Sequence, residues 1–442
     1  MSFCKVLAAG VFITTTLLPL ISHAQGAQPQ QAAPASAEPL TLDAAESAAL
    51  VNQPQMLAAQ LRARAFEQRT HEARSSYFPT VGFNATGVRV ADTGTSTAAG
   101  NLTTSSISDR FAYGGNLTQL VTDFGRTSAL VGSARSSAQA QNDLATLTRA
   151  QVRLNVREAY FQVLGAETVL QAARAAQDNR HLIARQLTAL AQSQLRSTVD
   201  VGFAEVLASE ADLAVVQAES VVAQQRTRLA TAMGATLPIT ASLVNVAAPQ
   251  ALPPDPELLL PGARTQRADL SAAEAQQQAA KQFATSEKRL SYPTLNVLGA
   301  AGQLPYHDRT MQGDYAAAGF NLSIPVFNGG LFAARRSEAE LEASARTQDV
   351  QQLQLQVSEQ VRNNWYRADE AYKSLDVTTR LVAQTREALR LAQARYDAGL
   401  GSIVELNEAQ LNETSAEISA ADATYAYLSR RAELDFAAGL LN

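Results

Sequence analysis

From Leu331 to Ala398 the chain contains neither proline nor glycine, and no proline follows Pro325. Wound as one helix at 1.5 Å per residue, such a stretch reaches roughly 100 Å. No globular core is that wide, and the stretch is far too polar for a membrane span. Its apolar stripe must be covered by neighbouring helices in a coiled-coil-like element. A second proline-free stretch runs from Pro79 to Pro238, and abundant Ala, Gln, Leu, Arg, Glu and Ser favour long helices throughout.

The two stretches belong to an internal duplication. Val51 to Pro79 aligns without a gap on Thr265 to Pro293, placing Met56-Leu57-Ala58-Ala59 on Leu270-Ser271-Ala272-Ala273 and Tyr77-Phe78-Pro79 on Ser291-Tyr292-Pro293. Further on, Val156-Arg157 matches Val361-Arg362, Asp200-Val201 matches Glu405-Leu406, and Met233-Gly234 matches Ala438-Gly439. The second register is shorter, and the lost residues fall where a loop can shorten harmlessly. Between the halves, Leu237 to Gly262 carries Pro238, Pro249, Pro253, Pro254, Pro256 and Pro261 and reads as a connector.

Each half opens with a helical segment, about Leu42 to Ser76 and Thr265 to Leu290, that ends at an aromatic-proline pair, since the residue before proline is pushed out of the helical region. Period-two alternation follows in Val81 to Thr86, in Leu295 to Gly299 and in Phe320 to Ile324, with a less regular return strand near Phe111 to Val121. Polar tips, Asp92 to Ser108 and Gln303 to Gly313, lie between the strands. Each half thus offers one β-hairpin before its long helix.

At the N-terminus, Lys5, an apolar run from Val6 to Ile21 and Ser22-His23-Ala24 read as a signal peptide over residues 1–24, with the mature chain starting near Gln25. The apolar run, about 16 residues, is short for a spanning helix. The only cysteine, Cys4, lies inside this signal, so the mature chain forms no disulfide and offers no lipidated cysteine at the cleavage site. Loss of Lys5 takes the net charge from -5 to -6, too slight and too mixed for a nucleic-acid partner. No later apolar run is long enough for a transmembrane helix, so membrane entry must use strands.

Local motifs complete the pattern. Phe327-Asn328-Gly329-Gly330 follows a strand and opens the long helix, with Asp123-Phe124-Gly125-Arg126 as its first-half counterpart, and Arg267-Ala268-Asp269-Leu270 lies in the second repeat. In this order they resemble the TolC family of outer-membrane efflux proteins, with F-x-G-G kept and R-P-D-L altered to alanine at Ala268. The resemblance spans essentially the whole mature chain. It implies a mainly α fold with a β-barrel portion: a homotrimer whose subunits each give four strands to a 12-stranded transmembrane barrel in outer-membrane lipid and their helices to a periplasmic tunnel. The expected organisation is a signal peptide (1–24), a flexible N-terminal segment (25–39), a first TolC-like repeat (40–236), the connector (237–263) and a second repeat (264–442).

The implied function is a passive exit duct of a tripartite efflux pump or type I secretion system. Its partners would be a periplasmic adaptor (membrane fusion protein) and an inner-membrane pump of the RND, MFS or ABC type. Tyr396 to Ser402 matches the family's turn at the periplasmic tip, so Ala398, Gly399, Leu400 and Ser402 are candidates for adaptor docking; the same residues also suit a plain helix-helix turn. The first-half equivalent, Ser193 to Ser197, lacks both glycines. Glu405 and Glu408 fall where the family places an acidic ring at the closed entrance. At spacing i, i+3 they share a helix face, and three copies at one constriction would favour cations and raise one another's pKa. The family's entrance-locking arginine is matched by Gly401, so Arg196, paired with Asp200 or Glu405, is the candidate lock.

Trp365-Tyr366 and their counterparts Tyr160-Phe161 read as helix packing. His71, His181 and His307 stand apart, without metal-ligand spacing. No nucleophile elbow, phosphate loop or dinucleotide fingerprint occurs, so neither catalysis nor a cofactor is expected. The alternative reading, a periplasmic coiled-coil structural or adaptor protein, is disfavoured by four amphipathic strands within a true duplication.

Overall fold

The computed structural model describes residues 39–89, 96–97, 104–105, 110–194, 197–246, 251–307 and 312–442. The signal peptide, Arg196 and most of the first hairpin's tip lie outside these residues. The first half comprises α1 (Leu42–Asn52), α2 (Pro54–Ser75), β1 (Thr80–Val88), the two-residue strands β2 (Ser96–Thr97) and β3 (Thr104–Ser105), β4 (Arg110–Thr122), α3 (Arg126–Gln192) and α4 (Thr198–Ala232). The second comprises α5 (Leu260–Gln266), α6 (Ala268–Lys288), β5 (Thr294–Tyr306), β6 (Asp314–Ser323), α7 (Leu331–Asp397) and α8 (Ile403–Ala437).

The long helices repeat to the residue: α3 and α7 each have 67 residues, α4 and α8 each 35. Their boundaries are built alike. Both long helices start after two left-handed residues, Phe124 (φ 54) and Gly125 (φ 88) in the first half, Gly329 (φ 63) and Gly330 (φ 85) in the second. The register therefore sets Phe124 against Gly329. A non-glycine residue holds that conformation because buried Asp123 fixes the turn, accepting from Gly125 N at 3.1 Å and from Thr127 N and Oγ1 at 2.6 Å each.

The opening helix of each half is broken in two. Gln53 (ψ 117) separates α1 from α2, and Arg267 (ψ 120) separates α5 from α6. Pro54 sits at the first position of α2, where its missing N–H is harmless; Ala268 takes that place in α6. Gln53 Nε2 donates to the carbonyls of Thr231 (3.1 Å) and Ala232 (3.0 Å) at the end of α4. Arg267, buried, pairs with Asp269 at 2.6 Å and donates to Gln360 Oε1 (2.9 Å) and to the Ala437 carbonyl (3.2 Å) at the end of α8. The Arg-x-Asp-Leu motif is thus a clamp on three helices. Its helix α5 also begins inside the proline-rich connector, with Pro261 in the first turn.

Side by side, β1, β4, β5 and β6 form one antiparallel sheet in that order. The register puts Val81 opposite Leu117, Phe83 opposite Gly115, Gln119 opposite Val297 and Val297 opposite Phe320, a mostly apolar face. The other face carries Asn84, Asn116, Asn296 and Asn321, and Asn84 Nδ2 donates to Asn116 Oδ1 at 2.7 Å. β5 runs on to Tyr306, into the stretch expected to be a tip, because Leu304 N still bonds the Gly313 carbonyl at 2.7 Å. Among the described residues, no helix is long and apolar enough to cross a membrane.

The helices stand in a row. α3 is flanked by α2 and α6 along one part of its length and by α4 and α8 along another, while α7 lies beyond α6 and α8. The main core forms where α1, α3, α4 and α8 meet, around Val152, Val156, Tyr160, Val163 and Leu229. Tyr160 is completely buried, with its hydroxyl 2.8 Å from the Leu40 carbonyl and 2.7 Å from that of Val244. Its repeat partner Trp365 donates Nε1 to Pro253 O at 3.0 Å. Both aromatic residues tie a long helix to a non-helical segment.

Candidate functional site

The free end of the helical hairpins gathers most of the candidate residues. A small core of Leu187, Ala204, Ala392, Tyr396, Ile403 and Leu406 locks hairpin α3–α4 against α7–α8. The two turns use the same chemistry with different residues. Gln194 (φ 59) stands where Gly399 (φ 72) stands in the repeat, so glutamine occupies a left-handed position that suits glycine. Ser197 Oγ accepts from Val199 N and Ser402 Oγ from Glu405 N, both at 3.1 Å, capping α4 and α8.

In the second turn Gly399 N bonds the Tyr396 carbonyl (3.0 Å), while Leu400 N (2.8 Å) and Gly401 N (3.1 Å) share that of Arg395. Ala398, Gly399 and Ser402 are therefore explained by the turn itself. Leu400 is not: it is 75 % exposed at the apex.

Glu405 and Glu408 are both solvent-exposed on the first turns of α8, beside the buried Ile403 and Leu406. Glu405 Oε1 lies 3.1 Å from Arg395 Nε, and Arg395 Nη2 reaches the Leu400 carbonyl at 3.3 Å. Both side chains of this pair are about half exposed, so it contributes on the order of 1 kcal/mol or less. Asp200, half-buried, occupies Glu405's place in the first repeat; its proposed partner Arg196 is outside the described residues. Arg395 escaped the sequence reading because ten positions and a turn separate it from Glu405. An arginine in the last turn of α7 was the available signal.

Above the tip, polar ties bind the hairpins. Arg180 Nη1 donates to Asn407 Oδ1 (3.0 Å) and to the buried Gln410 Oε1 (2.7 Å), and burial lowers the pKa of this guanidinium. Asp212 accepts from Gln177 at 2.8 Å and lies 2.8 Å from His181 Nε2, bonds that lower its pKa. Arg386 pairs with Glu417 (2.6 Å) and Glu413 (3.8 Å); burial, then Glu417, raise the Glu413 pKa despite Arg386. These contacts hold helices together and offer no reactive constellation. No group of residues suited to a metal occurs among the described residues.

A family model described as outer membrane efflux protein matches residues 46–235 and 259–440, most of the chain. This chain belongs to the outer membrane efflux protein family. The unmatched gap falls in the proline-rich connector. Among curated relatives of this efflux protein, Escherichia coli outer membrane protein TolC is 26 % identical over 410 residues, 86 % of this chain and 78 % of that one. Salmonella enteritidis TolC is 25 % identical over 311 residues, 65 % of this chain and 61 % of the relative's length. The crystal structure of the outer membrane protein VceC from Vibrio cholerae superposes with a TM-score of 0.76 at 19 % identity, covering 90 % of this chain and 96 % of that one. The efflux protein therefore has the TolC-like fold and an outer-membrane location.

Proposed function

We propose that this outer-membrane efflux protein is one of three identical subunits of a passive exit duct, fed by an inner-membrane transporter through a periplasmic adaptor. The observation that carries the reading is the sheet β1-β4-β5-β6, with one mostly apolar face, one asparagine-bearing face and two edges unpaired among the described residues. Lipid does not tolerate unpaired backbone groups. Pairing β6 of one copy with β1 of the next removes every edge, and three copies give a barrel of about 12 strands, wider than the roughly eight whose interior side chains fill. The same rotation brings α7 of one copy against α2 and α4 of the next. It covers apolar side chains left exposed on those helices, such as Leu355 on α7 and Val216 on α4.

At the tip, Leu400, presented by Ala398, Gly399 and Ser402, is the proposed adaptor contact. Glu405 and Glu408 are the proposed acidic entrance, with Arg395 moderating Glu405 and Arg196 and Asp200 acting on the first hairpin. A pump of the RND, MFS or ABC type would supply the energy, since the duct itself has no chemistry for it. Native mass determination of the detergent-purified mature protein tests the assembly: a complex of three chains is expected, and a stable monomer or dimer contradicts it.

A further inference from the structure

Between α3, α4 and α8 lies a half-open groove of about 520 Å³, within the range of small-molecule sites. Glu158, Phe161, Gln162, Gly165, Ala166 and Val169 of α3 form its floor. Tyr425, Ala218 and Val221 give it apolar walls, and Asp422 and Glu433 stand on the α8 side.

Polar groups in the groove are incompletely matched. The side-chain oxygens of Gln162 and Gln225 are shielded from solvent and have no hydrogen-bond partner, an arrangement that is unfavourable unless a donor arrives. Arg430 is engaged with Glu433 at 2.9 and 3.0 Å. Glu158 and Asp422 have no ion pair among the described residues. Burial and then the neighbouring Glu433 raise the Glu158 pKa, against Arg228 and Arg430, and burial raises that of Asp422. The groove therefore offers carboxylates and two orphan acceptors beside an apolar wall, while Arg430, the one cation lining it among the described residues, is engaged with Glu433.

Its orientation follows from helix geometry. Val156, Tyr160, Val163 and Glu167 recur at three- and four-residue spacing on the face of α3 covered by the N-terminal segment and the connector, through Leu40, Val244 and the Arg226 that joins Glu167 (2.6 Å) to the Ile239 carbonyl (2.9 Å). Glu158, Gln162, Gly165 and Val169 lie about 180° away at 100° per residue. With α4 and α8 on its flanks, α3 has the covering segments on one side and the groove on the opposite one, which on the exit-duct reading are the outside and the inside of the tunnel.

Resting on the exit-duct reading, we propose that this groove is a lumenal binding site for amphipathic organic cations bearing N–H donors, met by cargo midway along the tunnel. The cation faces Glu158 and Asp422, its N–H groups satisfy Gln162 and Gln225, and its apolar body lies on Phe161, Val221 and Tyr425.

Proflavine, an aromatic cation with amino N–H donors, is the probe, titrated into the purified detergent-solubilised protein by fluorescence polarisation. Tetraphenylphosphonium, a cation without N–H groups, is the competitor. Saturable proflavine binding is expected, weakened about tenfold or more in Gln162→Leu/Gln225→Leu and lost in Val221→Trp, whose exposed site tolerates a ring that fills the groove. Tetraphenylphosphonium should compete weakly, and its own binding should be insensitive to the glutamine substitutions. Proflavine affinity unchanged in both variants overturns the proposal. So does a variant that breaks the assembly, which would make the groove an interface between copies. Planar-bilayer conductance of the same preparations separates the two readings: absent wild-type conductance sinks the duct, whereas normal conductance with unaltered dye binding sinks only the groove.

Discussion

Tyr160→Ala should lower the stability of the helical body by about 3–5 kcal/mol, the range for deleting a large buried aromatic side chain. Tyr160 has no solvent exposure and sits in the main core with Val156, Val163 and Leu229. Its hydroxyl also lies against the carbonyls of Leu40 and Val244, so the truncation leaves a cavity and releases both the N-terminal segment and the connector from α3. Tyr160→Phe keeps the ring and removes only the hydroxyl, with an expected loss of about 1–2 kcal/mol. The check is guanidinium unfolding followed by circular dichroism of the helices. Equal losses for the two variants would mean that the ring's burial matters little and the strap alone is at stake.

Gly234→Ala is the second large effect. Gly234 (φ 76) ends the first repeat, and a Cβ there would stand 2.8 Å from the carbonyl carbon and oxygen of Asn52 and 3.0 Å from Gln53 Cα. Those are backbone atoms at the break between α1 and α2, which cannot swing aside. Left-handed backbone costs alanine about 1–2 kcal/mol, and overpacking adds roughly 1–3 kcal/mol. Gly399→Ala isolates the first contribution, because Gly399 (φ 72) has nothing within 4 Å of the same position. The same unfolding experiment should rank Gly234→Ala clearly below Gly399→Ala, and equal effects would refute the close approach.

These two sites also mark what could be read from residues alone. The long helices were legible because Leu331 to Ala398 contains no helix breaker, and the hairpins because Pro79 and Pro293 close the helices before them. The break at Gln53 was passed over because alanine recurs on both sides of it, although Pro54 was the available signal, since a proline inside a helical pattern ends or kinks the helix at the residue before it. Gln194 gave no sign of a left-handed turn, for glutamine carries none of glycine's signal. At the tip, Glu405 and Glu408 were visible as a helix-face pair, while Arg395 became a partner only once Gly399 and Gly401 had folded the chain back. The groove over α3 depends on the placement of three helices from both repeats, a packing outcome that no local spacing contains.

The most direct test of the account is single-channel conductance of the purified mature protein in planar bilayers, comparing wild type with Glu405→Ala/Glu408→Ala. The account predicts small, cation-preferring openings whose preference falls in the double variant, where Arg395 is left without its carboxylate. Openings of unchanged selectivity would remove the two glutamates from the entrance, and a protein that assembles in the bilayer yet conducts nothing would contradict the duct itself.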